Sequence, residues 1–538
     1  MNRTVRFLSA TLAVLLGAAI LLLQPTKGHA IPAFARQYNT SCSTCHIDFP
    51  KLNDFGKAFK DAGFKFPKDD EAVIKIPPVM LGAPAQKEVF PKTIWPGTIP
   101  GQPPIGLRIA SYFQVTGKNA NRFAVVPQPG TTDPVDNGFV PRTDFQTGTF
   151  SIFTAGNFGS GIAFWVDEDF SVAGSNADGG LGDGYLRFVD IGRFAHLPKD
   201  SLSLRVGQFE LELPFSPARS WNLSGWDIFD QVNVGAANPL FAQQNVNNAF
   251  SLSSGVQGVE LSGGHHYGGY YYAVAFTNQN TGGPVNSGAF VPAASAYASD
   301  SNFKDMYARF QYRFNLERDK ESRKAVQAAG PLGPRDHTYL SLGSFYFCGR
   351  SVQRFVGGLP GTTEPTPAFL TAREPFYRVG ADFSFNHRNF NLFGVYMYGR
   401  DHNLIPVDDS GTPFPEVPVG FAHGTPATFG GGFLEADYMA YPWLMLVMRY
   451  DGVNSSSDYI NALAGGTSSP FFGQTKQTRD RITPGVQFLV RANIKVAFEY
   501  QIRPKQQILT GIDPLTGSAV TFAPFRTNTA VVALDYVY

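Results

Sequence analysis

The sequence predicts a mainly β protein, a transmembrane antiparallel β-barrel of about 16 strands with a small α-helical segment before it. Three observations predict it. The 538-residue chain is poor in charge and rich in aromatics and glycine, with 16 % charged and 14 % aromatic residues, 56 Gly and 48 Phe. Soluble domains carry roughly 25 % charged residues. From residue 106 onward, strand-length segments alternate apolar and polar side chains. The connections between them alternate short and long, as turns on one side of a membrane and loops on the other would.

The balance of 44 basic against 43 acidic residues, net +1, argues against a nucleic-acid partner, which would demand a basic excess. At the N-terminus, Arg3 and Arg6 precede an apolar stretch from Phe7 to Leu23, and Gly28-His29-Ala30 offers a small-residue cleavage site. Residues 1–30 therefore read as a secretory signal peptide. The rival is a retained anchor; the Pro25 break and the small residues favour cleavage. No later segment has around 18 continuous apolar residues, so no second helical span is expected.

Residues 31–66 carry the chemistry. In Cys42-Ser43-Thr44-Cys45-His46, two thiols are spaced to reach the two vinyl groups on one edge of a porphyrin. The adjacent imidazole is then placed on the iron. This is the attachment pattern of a single covalent haem c, and export makes the attachment feasible. A disulfide or a zinc knuckle are the other readings, but a zinc site would want a second ligand pair nearby. Cys348, the third cysteine, reads as a small strand residue.

After the motif, Leu52, Phe55, Phe59 and Ala62 fall on one face of a helix with Gly63 as its C-cap. That face is expected to pack on the porphyrin. Met80, within Pro77-Pro78-Val79-Met80, is the candidate distal ligand, a thioether that would raise the potential. A barrel residue, water, or a plain linker role for Met80 stay open. Arg36 is a candidate partner for a haem propionate, since its fork suits a carboxylate, or else an ordinary surface arginine. Residues 67–105 are Pro-rich and read as an extended linker. A domain below about 40 residues rarely holds a core alone, so the barrel mouth or lumen should supply a wall.

The barrel occupies 106–538. Met306, Ala308, Phe310, Tyr312 and Phe314 oppose Tyr307, Arg309, Gln311, Arg313 and Asn315. Tyr377, Val379, Ala381, Phe383 and Phe385 oppose Arg378, Gly380, Asp382, Ser384 and Asn386. Ile494, Val496, Phe498, Tyr500 and Ile502 oppose Lys495, Ala497, Glu499, Gln501 and Arg503. A one-residue slip would exchange the faces, so the pattern sets which face meets lipid. The last strand ends on the aromatic Tyr538, in register with Tyr536, Leu534, Val532 and Ala530. An even strand count puts both ends of the barrel on the periplasmic side.

Two stretches carry resemblances. Pro32-Ala33-Phe34-Ala35-Arg36-Gln37, the Cys42–His46 motif and Phe49-Pro50-Lys51-Leu52-Asn53-Asp54-Phe55-Gly56 resemble the cytochrome–porin fusion family of outer-membrane iron oxidases. The resemblance implies a mono-haem domain joined to a barrel of about sixteen strands. It also implies electrons crossing the outer membrane of a Gram-negative bacterium, from extracellular Fe(II) to a periplasmic cytochrome. Where family members often carry Thr-Gly before the motif, this chain has Tyr38-Asn39-Thr40-Ser41. Leu204-Arg205-Val206-Gly207-Gln208-Phe209 with Leu213-Pro214-Phe215-Ser216-Pro217 looks like the phosphate-selective porin family and supports a porin-type barrel.

The function expected is therefore an electron carrier with one haem on Cys42, Cys45 and His46. The alternative is a solute porin with an accessory haem, in which lumen-facing Arg187, Arg205, Arg309, Arg313, Arg378, Arg481, Lys495 and Arg503 would favour anions. A hydrolytic or transfer enzyme has little support; His265-His266 in a Gly-rich turn reads as surface. Trp221 and Trp226, in the long 213–248 connection, are expected as girdle anchors, or else as part of a constriction or a donor contact.

Overall fold

A computed structural model describes residues 33–66, most of 70–80 and most of 104–538. Residues 1–32, with the expected signal peptide, lie outside the described residues, as do most or all of 81–103, 117–142, 171–179, 231–254, 279–302, 317–337, 358–367, 402–425, 456–476 and 503–527.

Sixteen strands close into one barrel, each paired antiparallel with the next along the chain. They are β1 Ile105–Thr116, β2 Thr143–Phe158, β3 Ile162–Phe170, β4 Gly180–Phe188, β5 Ser203–Phe209 and β6 Val256–Gly264. Then come β7 Gly269–Thr277, β8 Asp305–Asn315, β9 Thr338–Gly357, β10 Ala368–His387 and β11 Phe390–Asp401. The last are β12 Ala427–Tyr441, β13 Leu444–Ser455, β14 Gln477–Arg491, β15 Ile494–Gln501 and β16 Thr529–Val537. They answer, one for one, the sixteen strand-length segments that the sequence offers at about 106–116, 148–155, 160–168, 183–191, 200–212, 253–263, 266–277, 303–315, 337–349, 375–386, 389–400, 427–439, 443–453, 479–490, 493–503 and 526–538. The seam closes where β16 pairs β1, from Thr529 opposite Thr116 to Val537 opposite Arg108. Closure leaves no strand edge unpaired, which is what a lipid environment requires of a sheet.

The faces fall as the alternation predicts. Phe310, Tyr312, Phe314, Val379, Phe498, Tyr500 and Leu534 are exposed on the outside. Arg205, Arg309, Arg313, Arg378, Arg481, Lys495, Asp382, Glu435, Asp437 and Glu499 are buried within. Arg503 lies outside the described residues. An apolar exterior around a charged interior identifies a membrane-spanning barrel of the outer-membrane porin type.

Several strand ends depart from the sequence reading, most of all those of β9 and β10, and that of β5 where the chain leaves the wall. β9 and β10 each run for 20 residues, well past the expected 349 and 375. About 9–11 residues span a membrane, so strands of this length continue their ladder beyond it. β5 stops at Phe209 instead of continuing to 212. There Glu210 N–H donates to the Asp183 carboxylate at 2.8 Å, and the chain turns off the wall into the lumen.

The even count places the start of β1 and the end of β16 at the short-turn end, together with turns 159–161, 265–268, 388–389, 442–443 and 492–493. The N-terminal segment enters here. It contains α1 (Ala33–Tyr38), a single tight turn Cys42–Thr44, and α2 (Asp54–Asp61). Asn53 caps α2 by accepting from Gly56 N–H at 2.8 Å. Gly63, at φ +76, ends it as expected, with Phe64 N–H on Phe59 O at 2.9 Å and Gly63 N–H on Lys60 O at 3.0 Å.

The apolar face of α2 does not stand open for a porphyrin. Phe59 packs with Tyr38 and Phe64, and this cluster lies against Ala155, Ala163 and Trp165 of the barrel wall. The wall supplies what so short a segment cannot. The expected extended linker is also not extended at its start. Residues Asp70–Val73 form α3, whose Asp70 accepts from the Tyr38 hydroxyl at 2.8 Å.

Candidate cofactor site

A covalent haem c needs two thiols presented from one turn and an imidazole whose outer nitrogen is free. In the Cys42–Thr44 turn, Cys45 N–H donates to Cys42 O at 3.1 Å, which sets the two cysteines one turn apart. Both thiols are free. Burial pushes Cys42 up and Cys45 up to about 12, the latter helped by Cys42, so both are held protonated. Among the described residues no group of three or more His, Cys, Asp and Glu could hold a metal ion, which leaves the zinc reading without its ligand set.

His46 Nδ1 lies 3.1 Å from the Pro50 carbonyl. With its proton on Nδ1, the ring donates to that oxygen and leaves Nε2 as a lone-pair donor, the usual way a metal-binding imidazole is oriented. Burial, opposed by backbone bonds and aided by Lys495, pushes the His46 pKa down to about 4, so the ring stays neutral. These residues fit the group.

The turn is built tightly around the motif. Asn53 Nδ2 donates to Ser43 O at 3.2 Å and to Thr44 O at 3.0 Å. A Cβ at Gly56 would stand 2.1 Å from Cys45 O, so only glycine lets α2 approach the motif this closely.

The segment is tied into the lumen by ionic contacts to several parts of the barrel. Arg313 of β8 donates to both Asp54 oxygens, at 2.8 and 2.6 Å. Lys51 Nζ lies 3.2 Å from Asp437 of β12 and 3.6 Å above the Trp221 ring. Lys495 of β15 donates to Phe49 O at 2.6 Å. Lys60 pairs with Glu212 at 3.5 Å. His266, in the turn between β6 and β7, is not a surface residue as its sequence suggested: Nδ1 lies 3.0 Å from Asp61 and Nε2 3.6 Å from Glu212.

Burial opposes a charge on His266, but Asp61 and Glu212 outweigh it and raise its pKa above 6.5. Its stabilisation of the seat is therefore full below that value and lost as pH rises through the raised one. Asp61 works the other way. Burial raises its pKa, but His266, Arg187 and Lys60 outweigh that and lower it below 3.8, so its contribution fades only at acid pH. Limited proteolysis of the N-terminal segment should therefore speed up several-fold from mildly acidic to alkaline pH. His266→Gln should abolish that dependence; an unchanged pH profile would exclude the ionic latch.

A second body fills the lumen. Residues 210–230 leave β5 and run inward to a short helix, α4 (Asp227–Asp230). Trp221 and Trp226 are not girdle anchors: both are buried, and their indole N–H groups donate to the two oxygens of Glu435, at 3.2 and 2.9 Å. A buried indole N–H needs an acceptor, and inside the closed ring Glu435 supplies it to both. Asn222 adds a third bond to Glu435 at 2.7 Å. Glu499 accepts from Leu223 N–H at 2.6 Å, and Arg481 pairs with Asp227 at 3.2 Å. Most inward cations are likewise matched: Arg309 with Asp382 at 2.9 Å, Arg205 with Glu260 at 2.6 Å. Between this body, α2 and the wall remains a cavity of about 200 Å³ lined by Lys57, Arg219, Gln311, Tyr339 and Asn391 among others.

The other expected site residues are placed as follows. Arg36 Nη2 donates to Ile105 O at 2.7 Å, and its guanidinium lies 5.7 Å from the Tyr538 ring centre, pinning α1 to both strands of the seam. Met80 pairs through its backbone with Thr98; its side chain lies outside the described residues. Asn53, Gly56, Lys51 and Asp54 were not singled out from sequence, although all four lie within the stretch that carries the family resemblance.

No family model matches the chain, and no curated protein matches it. Among solved structures it is similar to the outer membrane channel DcaP of Acinetobacter baumannii, at 11 % identity and a TM-score of 0.41 over 81 % of this chain and 96 % of that one. It is also similar to Pseudomonas putida OprB, at 10 % identity and 0.44 over 81 % and 94 %. An anion-selective porin from Comamonas acidovorans gives 10 % and 0.42 over 81 % and 98 %. The barrel itself stands on its own closed ladder of strands rather than on these distant likenesses.

Proposed function

We propose that the chain is an outer-membrane electron carrier with one haem c, held by Cys42 and Cys45 and ligated by His46. The observation that carries it is the His46 geometry: Nδ1 committed to Pro50 O at 3.1 Å, inside a segment bound to the barrel lumen at its short-turn end. Bound there, haem supplies reversible one-electron exchange. The chain's own residues do the rest. His46 presents Nε2, Asn53 and Gly56 hold the motif turn, and the barrel wall covers the segment. Extracellular Fe(II) as donor and a periplasmic cytochrome as acceptor follow from the family resemblance; Met80 as distal ligand follows from its place in the sequence after the motif. An Arg36–propionate contact would compete with its bond to Ile105 O.

The test is stopped-flow visible spectroscopy of the oxidised, detergent-purified protein mixed with ferrous iron. A reduced c-haem band should grow rapidly. Reduction by dithionite but not by ferrous iron, across pH and chelators, would remove iron as donor. A solute channel is the second reading, supported by the barrel and by the charged cavity within it; a purified holoprotein that passes chloride through planar bilayers would favour it.

A further inference from the structure

The turn that orients His46 is gripped by the seam where the barrel closes. Pro50 O receives His46 Nδ1, and its neighbour Phe49 O accepts from Lys495 Nζ of β15 at 2.6 Å. The Arg108 guanidinium of β1 lies 5.3 Å from the Phe49 ring centre. Asp535 of β16 joins the two cations. It takes Arg108 in a fork at 3.0 and 2.9 Å, and Lys495 Nζ stands 3.8 Å from it. The Lys495 and Asp535 side chains are only 4 % and 5 % exposed.

We propose that Lys495, Asp535 and Arg108 are positioning residues for the haem: they clamp the Phe49–Pro50 turn beside His46 and set the charge around the residue that would hold the iron. This rests on the haem reading above. The clamp acts in two ways. By fixing Pro50 O, it fixes the hydrogen bond that orients the imidazole and tunes its basicity. By charge, it acts on the redox balance itself. Ferric haem carries one more positive charge than ferrous haem, and a buried cation nearby disfavours it. Asp535 offsets Lys495.

The two charges therefore predict shifts of opposite sign. In spectroelectrochemical titration of the haem-loaded full chain, Lys495→Met should lower the midpoint potential and Asp535→Asn should raise it. The expected change is about tenfold or more in the ferric-to-ferrous ratio at fixed potential, 59 mV for one electron. Lys495→Gln keeps an N–H donor without the charge and should also lower the potential, which guards against a Met variant that fails to close. Lys495→Arg should stay near the parent value. Heat-modifiable migration in gels checks that each barrel is closed. A general loosening of the site would move both potentials the same way, and that result, or no shift in either, would overturn the proposal. A parent chain without covalent haem would overturn the functional reading along with it, whereas a haem-loaded parent with unmoved variants would overturn the clamp alone.

Discussion

Replacing Cys42 and Cys45 together by alanine is expected to abolish covalent haem entirely and leave a closed barrel. The thioether bonds are the only covalent hold the motif offers. Without them the segment keeps an imidazole aimed by Pro50 but nothing to retain the porphyrin through purification. The barrel ladder does not depend on either thiol: the turn's backbone bonds and the Arg313–Asp54 fork seat the segment without them. Denaturing gels stained for haem peroxidase should lose their band, intact mass should fall by one haem, and the ferrous-iron response should drop to background. Heat-modifiable migration should persist. A parent protein whose mass carries no haem when exported by a strain able to attach it would refute the site. An alanine pair that retains haem would do the same.

Glu435→Leu is expected to open the lumen. In the parent, the one carboxylate receives Trp221, Trp226 and Asn222, all from the inward segment. Leucine leaves three donors without acceptors, each costing about 1–3 kcal/mol if it stays buried. Residues 221–227 should leave the wall to recover solvent bonds. Single-channel conductance should rise from near the noise to a porin-like open level, and tryptophan emission should move to the red as two of the chain's five indoles meet water. Glu435→Gln, which still offers one acceptor oxygen, should give a smaller rise. Equal conductance in the parent and Glu435→Leu would mean that the 210–230 segment does not seal the pore.

How much of this was legible beforehand depended on whether the signal was local. The strands were, because each is carried by neighbours in the chain. Two-residue alternation separates Arg309 and Arg313 from Phe310 and Tyr312 wherever lipid faces one side and the lumen the other. The far ends of β9 and β10 were not legible, since there a strand is held by its ladder partner rather than by lipid on one face. The Gly63 terminus of α2 was readable for the same reason, since capping is a matter of a few adjacent residues.

The seat of the segment was not legible. Asp54 meets Arg313 and Lys51 meets Asp437 across separations of 259 and 386 residues, and no local pattern encodes such partners. Trp221 and Trp226 fit a girdle as well as a lumen by composition; the position of Glu435 inside the closed ring decides between them. His266 looked like a surface residue until the turn was set beside α2.

By itself, then, the sequence determined the barrel and its orientation to lipid, because the different surroundings of the two faces act over short stretches. Only the tertiary structure decided that the motif sits against the closing seam, that the lumen is filled, and which buried charges face one another. Those depend on where sixteen strands stand once the ring is closed, and burial inside it obliges every charge to find a partner wherever the chain supplies one.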